Sequence, residues 1–556
     1  DDARKVLEQG KAGGLSGDSV TELEGRLSGS GKVEQSEIDN LVNLYSAGKL
    51  SEALSMGTAL INRQPDNYIV HNILGAINTA LDNNKRALAH YDKAIQINPN
   101  FAGVHLNKGV SLRKMNHYEL ALASYNKALE LDPNLVEAHS NIGHTLNILG
   151  RREEALASLA KAIQIKPSSS GSYNNLGDVL YNLDRFEDAS LNFKKALILN
   201  PNLSEADNNL GNVCYQFGDT DGSLLQYTKA VMIDPRSGEA WGHIGNCKHK
   251  QKRFSEALLS YKKAAIITPV DLRHRHAMGE VSMSQGAFKD ALKYFRFRTT
   301  KLTRARYLES LFALGCDNEF DALVEDAIKS DKKNLRLAAI SAFASQQRRK
   351  IDPFPFCSNA LDFIYISSLS NYVNNLKGFC GKVISEVETD SLRWEPLNKA
   401  TKRGYQTPST VFDWETGAIQ KLKDILLQEL HGFQNRFDDR NCDLIKLWPK
   451  KYDLSGWFVR LKTHGYQEAH IHPDGWVSGV LYLKTIEETF ENQGSIEFSL
   501  HGYDYHRRSS NVPTKTHQPK LGDILLFPSS LFHRTIPFDS PQDRCVIAFD
   551  VVPREK

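Results

Sequence analysis

The chain has 556 residues, with 69 Lys and Arg against 66 Asp and Glu, a net charge of +3 at pH 7. That length allows two or more domains with sizeable cores, and the near-balanced charge gives no argument for nucleic acid or an anionic membrane as a partner. No apolar run reaches the ~18 residues a bilayer span needs, and the seven Cys are scattered without a C-x-x-C pair, which argues against a disulfide framework or a Cys-rich zinc site.

Residues 1–35 are rich in Gly, Ser and charge and are expected to form a flexible lead. The opening stretch "DDARKVLEQGKAGGLSGDSV" has no basic segment followed by an apolar one, so it is not read as a secretory signal. It does not begin with Met, as a trimmed chain would not. The expectation is a soluble cytoplasmic protein.

Beyond the lead a period appears. Pro65, Pro99, Pro133, Pro167, Pro201, Pro235 and Pro269 follow one another at steps of 34, and Gly75, Gly109, Gly143, Gly177, Gly211, Gly245 and Gly279 keep the same step. So do Ala87, Ala121, Ala155 and Ala189, then Ser223, Ala257 and Ala291. Within one unit, "SYNNLGDVLYNLDRFEDASLNFKKALILNPN", apolar residues recur at three and four, which is helical spacing. The Gly lets the first helix of a unit approach the second, and the Pro ends the second helix and starts the next unit.

A 34-residue helix-turn-helix with Gly, Ala, aromatic and Pro in these places resembles the tetratricopeptide repeat. Full repeats are read from about 68 to 271, a partial one at 36–67, a variant one from 272 to about 298 and a degenerate one at 307–334. "LRLAAISAFASQQRR" then reads as a closing helix. The repeat domain is therefore set at 36–350, about eight repeats plus the degenerate one. The resemblance implies a right-handed α-solenoid whose first helices line a concave face.

On that face Asn107, Asn141, Asn175 and Asn209 each lie two residues before the repeat Gly, with Ile73 and His243 in the neighbouring units. A ladder of side-chain amides offers paired donors and acceptors to the backbone of an extended peptide. It resembles the Asn ladder in the repeat domain of the O-linked N-acetylglucosamine transferase. The expected partner is a polypeptide substrate or partner protein held in the groove. The plainer reading is Asn tolerated on a solvated surface.

At "RKIDPFPFCSN" two prolines break the helical pattern, and 351–556 changes character. "AIQKLKDILLQELHGF" (418–433) is helical. Strands then dominate from about 456: "GWFVRLK" (456–462), "GWVSGVLYLK" (475–484), "GSIEFSL" (494–500), "GDILLFPSS" (522–530) and "CVIAFDVV" (545–552). Short strands punctuated by Gly, Pro and Asn suggest a sandwich or jelly roll.

In "QEAHIHPDGWVSGVLYLK" His470, His472 and Asp474 occupy every second position. A regular strand would turn all three to one face. His533 follows the strand "GDILLFPSSLFH", and Arg544 opens the last one. H-x-D, a distal His, and an Arg about ten residues on resemble the iron(II) and 2-oxoglutarate dependent oxygenases. "NKATKRGYQTPSTVFDW", "SGVLYLK" and "PKLGDILLFPSSLFHRT" look like a bacterial and phage branch of that superfamily, and the resemblance covers roughly 390–556. It implies a double-stranded β-helix (jelly-roll) oxygenase domain at 351–556. Fe(II) would be held by His472, Asp474 and His533, and 2-oxoglutarate by Arg544, with Tyr482 lining its pocket. Imidazoles and a carboxylate suit iron(II) with open positions, and a planar guanidinium suits the far carboxylate of 2-oxoglutarate.

Two departures keep alternatives open. Many relatives carry Ser two residues after the Arg, where this chain has Val546. Sequences of this branch often show H-x-H-P followed by a non-acidic residue, and aspartyl/asparaginyl β-hydroxylase also joins such repeats to an oxygenase without the carboxylate. Both Asp474 and His470 therefore stand as the third ligand, with Asp474 preferred because it is present and in register. Its presence also argues against a halogenase, where a small residue replaces that carboxylate. His464, His501, His506, His517 and the pair Arg507–Arg508 read as surface. The expected activity is a dioxygenase that hydroxylates a polypeptide captured by the repeats. A small-molecule oxygenase whose repeats serve assembly, and a non-catalytic scaffold, are the alternatives.

Overall fold

The structure is a computed structural model that describes residues 33–297, 299–357, 359–388, 392–396, 399–407, 410–413, 417–486 and 492–554. The lead expected over 1–35 lies, up to residue 32, outside them. The fold is a solenoid of helix pairs followed by the antiparallel sheets of a jelly roll. Among the described residues no helix is long and apolar enough to cross a membrane.

Each repeat is built the same way. The repeat Gly sits where a side chain has no room: a Cβ at Gly109 would lie 2.4 Å from the Tyr125 ring, and one at Gly177 would lie 2.6 Å from Phe193. The second helix thus drives its aromatic into the backbone of the first, and the repeat Ala beside it is fully buried. The turn between the two helices uses a left-handed residue at steps of 34: Gly48, Asp82, Asn116, Gly150, Asp184, Gly218, Lys252 and Gly286 all have positive φ. The segment expected as a partial repeat is a complete pair, Gln35–Ser46 and Leu50–Arg63. The variant repeat has a short second helix, Phe288–Phe295, and the degenerate one is Lys301–Leu314 with Asp317–Ser330.

The chain divides into two compact units, 1–235 and 236–556. The boundary expected at 350/351 falls inside the second. One buried core there runs from Leu308, Phe312 and Phe343 of the last helices through Phe354 and Phe356 into the strands. The two prolines end the helical pattern without ending the hydrophobic core, because Phe354 and Phe356 between and after them are buried.

Among its described residues the second unit carries ten strands: β1 Tyr365–Ser368, β2 Arg393–Trp394, β3 Thr401–Gln406, β4 Tyr452–Gln467, β5 Val477–Lys484, β6 Ile496–Ser499, β7 Thr514–His517, β8 Asp523–Pro528, β9 Phe532–Thr535 and β10 Arg544–Pro553. The major sheet has the order β1-β8-β5-β10-β4-β3-β2, and the minor sheet β7-β6-β9. A single antiparallel bridge, His470 to His533, extends the minor sheet by one more segment. The helix Gly417–Arg436 spans the predicted 418–433 and buries Leu422, Leu426, Leu430 and Phe433 in the core.

Candidate functional site

His470, His472 and His533 come together, their candidate ligand nitrogens all within 4.8 Å of one another. Backbone pairing places them. His470 N donates to His533 O at 3.2 Å and His533 N returns the bond to His470 O at 3.1 Å, while His472 N donates to Ser529 O at 3.0 Å. Each ring is then oriented through Nδ1. That atom contacts the Glu468 carbonyl at 2.6 Å in His470, the Asp550 carboxylate at 2.7 Å in His472 and the Leu531 carbonyl at 3.2 Å in His533. Three acceptors at Nδ1 place the ring proton there and leave each Nε2 as a lone pair. His472 Nε2 is buried with no partner. Burial, with the neighbouring imidazoles adding, holds His533 well below its ordinary value and His470 down to about 3. The three imidazoles are aimed at a common point, and such a set fits a transition-metal ion.

Asp474 does not join them. The expected strand register stops at His472, because His472–Gly475 is a turn closed by Gly475 N donating to His472 O at 3.1 Å. Pro473 and Asp474 occupy its centre, and Asp474 is exposed and outside the metal-capable group. The signal was legible as P-D-G, a turn sequence with Pro pre-set at its second position. A Cβ at Gly475 would lie 2.7 Å from Ser529 Oγ and 3.2 Å from the Asp550 carboxylate, so the turn also needs its Gly for close packing.

The carboxylate near the imidazoles is Asp550, which the sequence reading missed. It is 8% exposed and accepts from Ser478 Oγ at 2.6 Å, and Ser478 Oγ in turn lies 2.8 Å from Ser529 Oγ. An Asp inside the apolar run "CVIAFDVV" was the available signal. Trp457 was also missed; its ring stacks on His472, centroids 5.4 Å apart and planes 13° off parallel.

Arg544 lies on the same face of β10 as Asp550, six residues along the strand. Its side chain is 2% exposed. Nη2 donates to Tyr482 Oη at 3.1 Å, the guanidinium lies 4.8 Å from the Tyr482 ring centre, and Nε and Nη1 are buried without a partner. Adjacent strand β5 mirrors this, with Ser478 opposite Asp550 and Tyr482 opposite Val546. A narrow cavity is lined by His470, His472 and His533 together with Arg544; its lining includes Arg534, which pairs with Glu497 at 2.7 Å, but no carboxylate. A buried cation without a counter-charge is costly. The cavity therefore suits an anion.

Part of the predicted surface is packed. His464 is exposed, but His501 lies 5.4 Å from Phe343 and His517 Nε2 contacts Asp523 at 2.9 Å. Arg508 pairs with Asp317 at 2.9 Å and covers the Phe312 ring at 4.1 Å. Its loop joins the last helices to the minor sheet. Within it, Tyr503 Oη accepts from Ile471 N at 3.4 Å, between the two clustered histidines.

The Asn ladder is half-buried and partly committed within the first unit. Nδ2 of Asn107 donates to Asn72 Oδ1 at 3.0 Å, that of Asn175 to Ser140 Oγ at 3.0 Å, and that of Asn209 to Asn174 Oδ1 at 3.2 Å. Each bond reaches back 35 residues to the preceding first helix. For Asn141 the corresponding residue is Leu106, which has no side-chain acceptor.

Comparisons with known proteins agree with this architecture. Residues 455–550 match the family model described as "Putative 2OG-Fe(II) oxygenase". Tetratricopeptide-repeat models match 42–100, 109–147, 143–184 and 170–203. No curated protein matches. Among solved structures, the Cut9–Hcn1 assembly of the APC/C is 16% identical over 53% of this chain, with TM-score 0.44, and the chain covers 59% of its length. YrrB, a TPR protein, is 29% identical over 34% of this chain and 96% of its own, with TM-score 0.26. A tetratricopeptide repeat protein from Parabacteroides merdae is 17% identical over 45% of this chain and 98% of its own, with TM-score 0.38. The chain thus joins tetratricopeptide repeats, matched within 42–203, to a domain of the 2OG-Fe(II) oxygenase kind at 455–550.

Proposed function

We propose that the chain is an iron(II)- and 2-oxoglutarate-dependent dioxygenase that hydroxylates a polypeptide held by its repeats. The observation that carries this reading is Arg544: a buried guanidinium with two unpartnered donors, in the same cavity as three clustered imidazoles. His470, His472 and His533 would hold the iron. Arg544, with the Tyr482 hydroxyl, would hold the distal carboxylate of 2-oxoglutarate. The bound group supplies oxidative decarboxylation of 2-oxoglutarate to succinate and carbon dioxide, coupled to transfer of one oxygen atom from dioxygen to a C–H bond.

The protein supplies orientation and charge. Asp550 fixes the His472 tautomer and is itself fixed by Ser478. Trp457 covers one face of His472 and keeps water from it. Arg544 and Tyr482 set the depth to which a dicarboxylate enters. His470 would fill the third position in place of Asp474, and without a carboxylate ligand halide chemistry is no longer disfavoured. One observation favours a second reading, in which the repeats serve assembly and the substrate is small: three ladder amides are already bonded within the solenoid.

Incubation with iron(II), ascorbate and 2-oxoglutarate tests the first level, with succinate release expected slowly even without substrate. A peptide library added to that mixture tests the second, with a gain of one oxygen read by mass spectrometry. Absence of both succinate and iron binding refutes the enzyme. Succinate stimulated by small molecules but by no peptide replaces the first reading with the second.

A further inference from the structure

Helices Phe186–Leu199 and Thr220–Ile233, the second helices of consecutive repeats in the first unit, each present an aliphatic pair to solvent. Leu191 is 65% and Ile198 75% exposed; Leu225 is 55% and Met232 76% exposed. Each pair is seven residues apart, two helical turns, and so lies on one stripe. Helix Phe254–Ile267 of the second unit repeats the pair as Leu259 and Ile266.

The repeat itself does not call for these residues. At the same two positions the three preceding repeats carry Ala89 and Gln96, Ala123 and Glu130, and Ala157 and Gln164. Those helices bury Tyr91, Tyr125 and Leu159 as completely as the later ones bury Phe193 and Tyr227. Large aliphatics exposed in register, where the same fold manages with small and polar residues, mark an interaction surface.

The charges on the two stripes identify the occupant. One stripe runs Glu187, Leu191, Lys195, Ile198, and the other Asp221, Leu225, Lys229, Met232, all exposed. Both are acidic at the start and basic in the middle. Each stripe is therefore complementary to itself reversed. Laid antiparallel on the same helix of a second copy, Leu191 on Leu191 and Leu225 on Leu225, they bring Glu187 to Lys195 and Asp221 to Lys229. Met232 then reaches the turn beside Phe217, itself 54% exposed. One two-fold axis crossing both helices makes both contacts.

We propose that this face pairs two copies of the chain, the helices Phe186–Leu199 and Thr220–Ile233 of each packing antiparallel on the same helices of the other. Sedimentation velocity on the full chain, over a roughly hundredfold range of concentration, is expected to show the mass rising to twice the monomer. Leu191→Gln with Leu225→Gln weakens the dimer at least about tenfold, since central apolar contacts dominate such interfaces. Helical circular dichroism is unchanged, because both side chains are exposed. Lys195→Glu also weakens it, and adding Glu187→Lys to the same chain restores it. A wild-type mass that stays monomeric overturns the proposal and points to a different protein as occupant. Equal dimerisation of the Gln variant, or failure of the second charge reversal to restore, overturns it as well.

Discussion

Replacing Arg544 by Met separates two effects of opposite sign. Arg544 is 2% exposed, and among the described residues its side chain makes one hydrogen bond, to the Tyr482 hydroxyl. Nε and Nη1 have no partner, so the ligand-free protein bears the cost of a desolvated, uncompensated cation. Met has similar length and no charge, so ligand-free Arg544→Met is expected to be more stable, by about 1–3 kcal/mol. The bound state moves the other way. A buried charge-assisted pair contributes roughly 2–4 kcal/mol, and its loss lowers 2-oxoglutarate affinity about 30- to 1000-fold. Metal binding is unaffected, because no imidazole contacts Arg544. Urea unfolding of the ligand-free protein gives the first quantity. Calorimetric titration of the manganese-loaded protein with 2-oxoglutarate gives the second. A variant that is less stable and binds 2-oxoglutarate as before would show that Arg544 is a structural cation and refute its role as the anchor.

The other expectations concern the clustered imidazoles proposed to hold the metal, and their support. His470→Ala lowers metal affinity more than about 100-fold, while Asp474→Ala changes it little; cobalt(II) titration followed by absorption reads both, and the reverse order would return Asp474 to the ligand set. Asp550→Asn weakens metal binding about 10- to 100-fold by presenting a donor to His472 Nδ1; an unchanged affinity would reduce Asp550 to a buried polar residue held by Ser478. Asp352, which accepts from Ser341 Oγ at 2.6 Å, is pushed up to about 6 by burial. A raised carboxyl pKa means the folded state holds its proton while the unfolded state has lost it, so stability falls as pH rises from about 4 to 6. Asp352→Asn keeps the acceptor and removes that loss, stabilising by at most roughly 3 kcal/mol at pH 7 and not at all below pH 4; an equal effect at both pH values contradicts it.

The solenoid was legible because every repeat solves one packing problem with the same residues. The left-handed turn positions at the same step were not read, since Asp82, Asn116, Asp184 and Lys252 stand there as readily as Gly. Among the strands, the five that bury an apolar face were found. β7, "TKTH", is almost entirely exposed and β9, "FHRT", has only four residues, so neither carries an apolar run. The candidate site divides the same way. His533 follows, and Arg544 opens, a strand that announces itself. The choice between His470 and Asp474 turned on a single local question, whether the strand continues past Pro473. Strand periodicity answers yes and turn chemistry answers no; the turn closed by Gly475 N on His472 O ends the register.

The packing of the last helices bears on how a substrate would be presented. Arg306 on the helix Lys301–Leu314 bonds Glu309 at 2.6 Å and Glu280 at 2.9 Å, and its guanidinium lies 5.7 Å from the Tyr503 ring centre. Arg336 on the closing helix lies 5.6 Å from the same ring. The other side of Tyr503 meets Phe532, at 4.9 Å, and its hydroxyl meets the backbone between His470 and His472. Tyr503 and Asp504 both take positive φ, which non-glycine residues hold only when their surroundings fix them. Two arginines, a strained loop and the imidazole segment are thus one continuous packed unit. A polypeptide lying along the helices from Gly238–Lys250 onward would rest on the same rigid body that positions the imidazoles. Its distance from them would be set by side-chain packing rather than by a linker, so binding on those helices would carry orientation as well as affinity.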